Sequence, residues 1–174
     1  PWFKPFSVHE TPKDIFAELS FPCVLKPTFL SASQGVLRVN SFEEFGKGCE
    51  MLSDLLAEEK VKKRGGDQAN WILVEEYIPG KEVSIEGIVN DGKLKDLAIF
   101  DKPEPLEGPI FPETIFITPT ILDEYLQFSL LETAQRALQA LGISKGPVHI
   151  ELRINDHGNH ILECAARSIG GLCS

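Results

Sequence analysis

An α+β fold is predicted for this chain, and three observations predict it. Several apolar runs alternate with period two and are joined by turns too short for a crossover, so neighbouring strands must run antiparallel. Two other stretches carry apolar residues three and four apart, as a helix with one buried face does. Placed in order, the elements read strand, strand, helix, then three strands, a helix and two strands, which is the segregated pattern of the α+β class.

The first strand is FPCVLKP at 21–27, short, apolar and ended by Pro27. A loop of small residues, LSASQG, leads to a second strand, VLRV at 36–39. Ser41 with Glu44 three residues on is a capping-box signal, and Phe42, Phe45, Cys49, Leu52 and Leu56 then mark one helical face. The charged run EEKVKKRGG reads as a solvated helix end closing on a glycine pair.

WILVEEYI at 71–78, EVSIEGIV at 82–89 and KLKDLAIF form a meander, its second turn set by Asn90-Asp91-Gly92. A proline-rich connection from Pro103 to Pro119 suits neither helix nor central strand. From Pro119 to Leu141 the stripe Leu122, Leu126, Leu130, Ala134, Ala137, Leu138 and Leu141 predicts a helix stopped by Gly142. GPVHIELRI and HILECAA are the last two strands, flanking the turn NDHGN.

Composition narrows the function. With 17 Lys+Arg against 26 Asp+Glu and a net charge of −9, the chain lacks the basic footprint of a nucleic-acid binder. No apolar run reaches the length of a membrane span, so no membrane partner is expected. The four cysteines form no CxxC pair, which indicates neither a zinc site nor a disulfide framework and suits a reducing cytoplasm. Position 1 is Pro1 rather than Met and the Gly170-Gly171 pair has no closing element after it, so a fragment of a longer protein is expected.

Three groups of residues could carry chemistry. If the last hairpin centres on His157, Glu151 faces Glu163, and like charges at that separation are destabilising unless something lies between them. A divalent cation is one answer; neutralisation by Arg153 and Arg167 on a solvated face is the other. Lys26 with Ser31, Ala32, Ser33, Gln34 and Gly35 could hold phosphate through backbone N–H groups and a point charge, or be a mobile hairpin loop. LVEEYIPGKE could offer backbone groups to a flat heterocycle and Glu82 to a sugar hydroxyl, or be ordinary edge-strand sequence. His149, His157 and His160 read as turn and sheet residues, and Lys102 and Glu113 either face an acceptor or lie on the loop surface.

Taken together and in this order, strand-Lys26-Pro27, the loop to Gly35-Val36, VEEYIPGKE, and Glu151 to Glu163-x-x-x-Arg167 with Gly170-Gly171 resemble the ATP-grasp superfamily. Within it the sequence looks most like carboxylate–amine ligases of the L-amino-acid ligase and carnosine-synthase type, and it is also similar to biotin carboxylase. The resemblance spans about residues 20–171. It implies two α+β subdomains gripping ATP between antiparallel sheets: a lid over 1–77 and a larger subdomain over 78–174, truncated at both ends.

It also implies roles. Lys26 would contact the α- or β-phosphate, and Ser31, Ser33 and Gly35 would lie in the flexible phosphate loop. Glu75, Glu76, Tyr77 and Ile78 would form the adenine hinge, and Glu82 would bind the ribose. Glu151 and Glu163 would hold Mg²⁺ (or Mn²⁺) bridging the ATP phosphates, and Arg167 would act in catalysis by steadying the transferred phosphoryl group. Ala165 stands where many members have a metal-binding Asn, which leans away from biotin carboxylase. The implied reaction joins a small-molecule carboxylate to an amine through an acyl phosphate, releasing ADP. Biotin-carboxylase-like carboxylation and a nucleotide-binding module without turnover are the alternatives, and the full-length form leaves room for a homodimer.

Overall fold

The computed structural model describes residues 1–103, 108–111 and 115–170, with the side chains of all but residues 14–16. The described chain divides into two compact units, one built on 1–77 together with 108–111, the other on 78–103 and 115–170.

The first unit is a four-stranded antiparallel sheet with one long helix. Its strands are β1 (Phe3–Ser7), β2 (Cys23–Pro27), β3 (Leu37–Val39) and β4 (Trp71–Glu76), in the spatial order β1-β4-β2-β3. Strand β1 was not foreseen. It contains Pro5, which argues against a central strand, and it lies at the sheet edge where a missing N–H is tolerated. Helix α1 (Phe42–Ala57) turns Phe45, Cys49, Leu52 and Leu56 onto Leu25, Val39, Ile72 and Val74 of the sheet. Gly48 lies at that contact: a Cβ there would come within 2.7 Å of a Leu25 methyl.

The capping box is present with one change of partner. The Ser41 hydroxyl accepts from the Glu44 N–H at 3.2 Å, while the Glu44 carboxylate reaches one residue further back, to the Asn40 N–H at 2.8 Å. The charged run is not the tail of α1. Glu58 is extended (φ −54, ψ 132), and a separate helix α2 (Glu59–Gly65) follows, without a buried residue. It is solvated, as its charges require.

In the second unit, β5 (Lys81–Asn90), β6 (Lys93–Lys102), β7 (Gly146–Asn155) and β8 (Gly158–Ala165) form an antiparallel sheet of order β6-β5-β7-β8. Asp91 and Gly92 close the first hairpin with φ of 49° and 74°, the positive pair that a two-residue turn of this hand demands. Helix α3 (Glu124–Ala140) packs Leu130, Ala134 and Leu138 against Val83, Ile85, Val148, Ile150 and Leu152.

This helix begins later than its apolar stripe predicts. Residues 117–121 are held on Asp101 instead: Ile117 bridges to its backbone, and its carboxylate accepts from Thr120 Oγ1 and the Ile121 N–H, both at 2.9 Å. Asp123 then caps α3 by accepting from the Leu126 N–H at 2.9 Å. At the other end Leu141 is exposed, and Gly142 (φ 70°) ends the helix as expected. Among the described residues no helix is long and apolar enough to cross a membrane.

Candidate functional site

The last hairpin turns on two residues, Asp156 and His157, so its outer pairs are Asn155 with Gly158 and Leu152 with Ile161. That register differs by one from a turn centred on His157. A β-bulge between Leu152 and Glu151 then absorbs Leu162, and from there on Glu151 pairs with Glu163 and His149 with Ala165. The expected opposition of the two acids is therefore present, but for another reason. Had the outer register continued, Glu163 would have paired with Ile150 and followed Ile161 onto the core face, because one residue of slip exchanges the faces of a strand.

The polar face of this sheet is largely closed off from water. Glu82, Ser84 and Glu86 on β5, Lys102 on β6, and His149 and Arg153 on β7 are all buried, with Glu151 next to them at 17% side-chain exposure. Lys102 Nζ lies 2.6 Å from Glu151 Oε1 and 2.7 Å from Glu82 Oε1, and 4.9 Å from the centre of the Phe116 ring. Arg153 Nε donates to Glu82 Oε2 at 3.0 Å, and its Nη1 to the Ile78 carbonyl at 2.7 Å. His149 sits between two carboxylates, with Nδ1 on Glu86 and Nε2 3.4 Å from Glu151 Oε1. The Ile169 N–H donates to Glu86 Oε2 at 2.9 Å.

These contacts set the charges. Burial raises the Glu151 carboxyl, but the His149 hydrogen bond and the Lys102 charge outweigh it and hold the group down at about 2. Burial lowers Lys102 and His149, and in each the neighbouring carboxylates win, leaving both above their ordinary values. Glu163 is half exposed, 3.9 Å from Arg167, whose Nη1 donates to the Ser168 carbonyl at 2.9 Å.

In the first unit, Lys26 at the end of β2 forms an ion pair with Glu75 across the β2–β4 ladder. The loop after it is a folded turn: the Gln34 N–H donates to Ser31 O at 3.3 Å and the Val36 N–H to Ser33 O at 3.1 Å. Ala32 and Ser33 have φ of 56° and 53°, a conformation that costs a side-chain-bearing residue about 1–3 kcal/mol. The Glu76 N–H donates to Trp2 O and the Tyr77 N–H to Pro22 O, while the Arg38 guanidinium lies 4.0 Å over the Tyr77 ring.

Residues 19–174 match the model of the ATP-grasp domain. The chain belongs to the ATP-grasp family. It is 33% identical over 166 residues to alanine–anticapsin ligase of Bacillus subtilis (strain 168), covering 88% of this chain and 34% of that protein. It is 30% identical to carnosine synthase 1 of Gallus gallus over 152 residues, 87% of this chain and 16% of that one. Among solved structures it is similar to the L-amino acid ligase of Bacillus licheniformis, with a TM-score of 0.82 and 31% identity, covering 98% of this chain and 39% of that chain. The chain thus spans about a third of the length of the ligases it matches first.

Within this ATP-grasp chain the sequence-predicted residues fall into two groups. Glu82 and Glu151 meet in the buried cluster of the second unit, with Glu163 beside it near the end of β8 and Arg167 two residues past that strand, both half exposed. Lys26, Ser31, Ser33, Gly35, Glu75, Glu76 and Tyr77 belong to the first unit, and Ile78 opens the second. Glu113 and Gly171 lie outside the described residues.

The pairing of charges departs from expectation. Glu151 is neutralised by Lys102 rather than by an arginine, Arg153 serves Glu82, and only Arg167 keeps the expected partner, Glu163. Lys102 does not lie on a loop surface but ends β6 as a buried residue, while Glu86 and the bridging role of His149 were missed. The alternation of charged with apolar residues along β5 was the available signal, but it does not say that the charged face is covered.

ATP-grasp ligases in general use ATP with divalent metal ions, and the residues here fit a hard cation. Glu151 and Glu163 stand opposite each other, and Glu151 is held ionised. Ser84, paired with Glu151 across β5 and β7, has a buried hydroxyl oxygen without a hydrogen-bond partner among the described residues. Among those residues no group of three or more His, Cys, Asp and Glu is assembled as a metal cage. Two carboxylates are what Mg²⁺ commonly takes from a protein when phosphate and water supply the rest.

Proposed function

We propose that the full-length protein uses Mg·ATP to join a carboxylate, most simply that of an amino acid, to an amine, releasing ADP and phosphate. The observation that carries this reading is the Glu151–Glu163 pair, opposed across β7 and β8 with Arg167 beside it. The acceptor class follows from similarity to proteins named alanine–anticapsin ligase and L-amino acid ligase.

In this reading Glu151 and Glu163 hold the metal, which when bound neutralises phosphate charge during in-line transfer. Arg167, 3.9 Å from Glu163, steadies the transferred phosphoryl group. Lys26 contacts an α- or β-phosphate oxygen, and the turn at Ser31, Ser33 and Gly35 presents its backbone N–H groups to phosphate. Glu75 to Ile78 offer backbone groups to the adenine edge and Glu82 binds the ribose. Residues 1–77 act as the lid subdomain and 78–174 as the larger one. Phosphoryl transfer of this kind needs positioning and charge more than covalent help, so no nucleophilic side chain is assigned. The free thiols of Cys23, Cys49 and Cys164 suit a reducing, cytoplasmic setting.

The test is ADP release by the full-length protein, screened against amino acids and small carboxylates with Mg²⁺ present and absent. Release that needs Mg²⁺, a carboxylate and an amine together is expected. Release driven by bicarbonate would replace ligation by carboxylation, and Mg·ATP binding with no ADP under any pairing would make the protein a nucleotide-binding module.

A further inference from the structure

Lys102 occupies an unusual position for a lysine at a site that is to receive a dication. Its ammonium is buried, and it lies 2.6 Å from Oε1 of Glu151, one of the two carboxylates assigned to the metal. Its second anchor is Glu82 Oε1 at 2.7 Å, so it is held in the cluster from both sides. Glu82 is fixed in turn by Arg153.

Charge balance gives the arrangement a consequence. Three carboxylates, Glu82 and Glu86 buried and Glu151 largely so, face two permanent cations, Lys102 and Arg153, with His149 shared between Glu86 and Glu151. The cluster is thus within one charge of neutral before any metal arrives. A dication added alone overcharges it and sits beside an ammonium on the same carboxylate, where like charges at low dielectric repel strongly. A dication that arrives with a nucleotide brings its own negative charge.

We propose that Lys102 is the resident counter-cation of Glu151 and competes with the divalent metal for that carboxylate, so that the metal loads only together with nucleotide. When the metal takes Glu151, Lys102 keeps Glu82 and turns its freed N–H toward the incoming phosphate. The ion pair therefore acts as a gate against free metal. This inference rests on the metal assignment of the preceding section.

Mn²⁺ binding to the full-length protein, read from the EPR signal of the free ion, tests it. Wild type is expected to bind free Mn²⁺ weakly and Mn·ATP tightly, the latter dependent on Glu163. Lys102→Gln is expected to tighten free Mn²⁺ by about tenfold, as removal of one like charge predicts, and Glu163→Gln in that background to abolish the gain. Glu82→Gln releases the other anchor, leaves Lys102 to Glu151 alone, and is expected to weaken free Mn²⁺ binding. Mn·ATP binding indifferent to Glu163 overturns the metal assignment and this proposal with it. Glu163-dependent Mn·ATP binding, with free Mn²⁺ affinity in Lys102→Gln equal to or below wild type, overturns the Lys102 proposal alone. Should Lys102→Gln fail to fold, Glu82→Gln decides: affinity for free Mn²⁺ at or above wild type overturns it.

Discussion

Glu151 and Glu163 oppose each other across β7 and β8 because Leu162 is the extra residue of a bulge between them and the turn. The turn alone sets a register in which Glu163 would face the core, and the bulge returns it to the polar face. Bulges next to sites commonly re-aim a side chain in this way.

Deleting Leu162 should convert the bulge into a regular ladder while leaving Glu163 opposite Glu151, since the outer pairs already lead to that partner. Mg·ATP affinity is expected to stay within about threefold of wild type, whereas a registry defect of this size would normally exchange the two faces. Calorimetric titration checks it, and a loss as large as that of Glu163→Gln would show that the bend of the bulge matters in itself.

Glu163→Gln should weaken Mg·ATP binding by roughly tenfold or more, in the range seen when a metal site loses a supporting group. Glu163 is half exposed and only 3.9 Å from Arg167, so thermal stability should change little. Titration calorimetry and a melting curve on the same protein separate binding from folding.

Stability should depend on pH at both ends. Glu151 is held at about 2 against an ordinary 4.5, so its contribution is fully present above 4.5 and is lost as pH falls toward 2. At about 1.4 kcal/mol per unit this amounts to at most about 3.5 kcal/mol. His149 is raised above 6.5, so its contribution is present below 6.5 and is lost as pH rises through the higher folded-state value. Urea midpoints should thus be highest between roughly pH 4.5 and 6.5. His149→Gln should flatten the alkaline limb and leave a falling acid limb.

Gly35→Ala and Gly80→Ala should both destabilise, Gly80→Ala the more. Each has positive φ (75° and 130°), but a Cβ on Gly35 meets side-chain atoms of Leu52 and Pro27 at 2.9 Å, which can shift. On Gly80 it meets the Ile154 backbone carbonyl at 2.2 Å, which belongs to the β5–β7 ladder. The strained backbone alone costs about 1–3 kcal/mol, and Gly80→Ala should exceed that range in chemical denaturation.

What could be read from the sequence was local. Ser41 and Glu44 start α1, Asp91-Gly92 closes the β5–β6 hairpin, Gly142 stops α3, and the apolar stripe of each helix finds the core. Each rests on hydrogen bonds or side-chain spacings within a few residues. Where a distant group intervened, the local signal failed. Asp101 holds residues 117–121 outside the helix and delays α3, and β4 gives the proline-bearing β1 an edge to pair with.

The candidate site divides the same way. The sequence by itself determined that Glu151 and Glu163 lie on the two arms of one hairpin, that Arg167 follows, and that Lys26 ends a strand before a small-residue loop. Only the tertiary structure decided how these charges are balanced. The strand order β6-β5-β7-β8 brings Lys102 onto both Glu82 and Glu151, and lays His149 between Glu86 and Glu151. Burial then makes each of these pairings consequential, because a charge removed from water must find its counter-charge, and the one that Glu151 found lies 49 residues away.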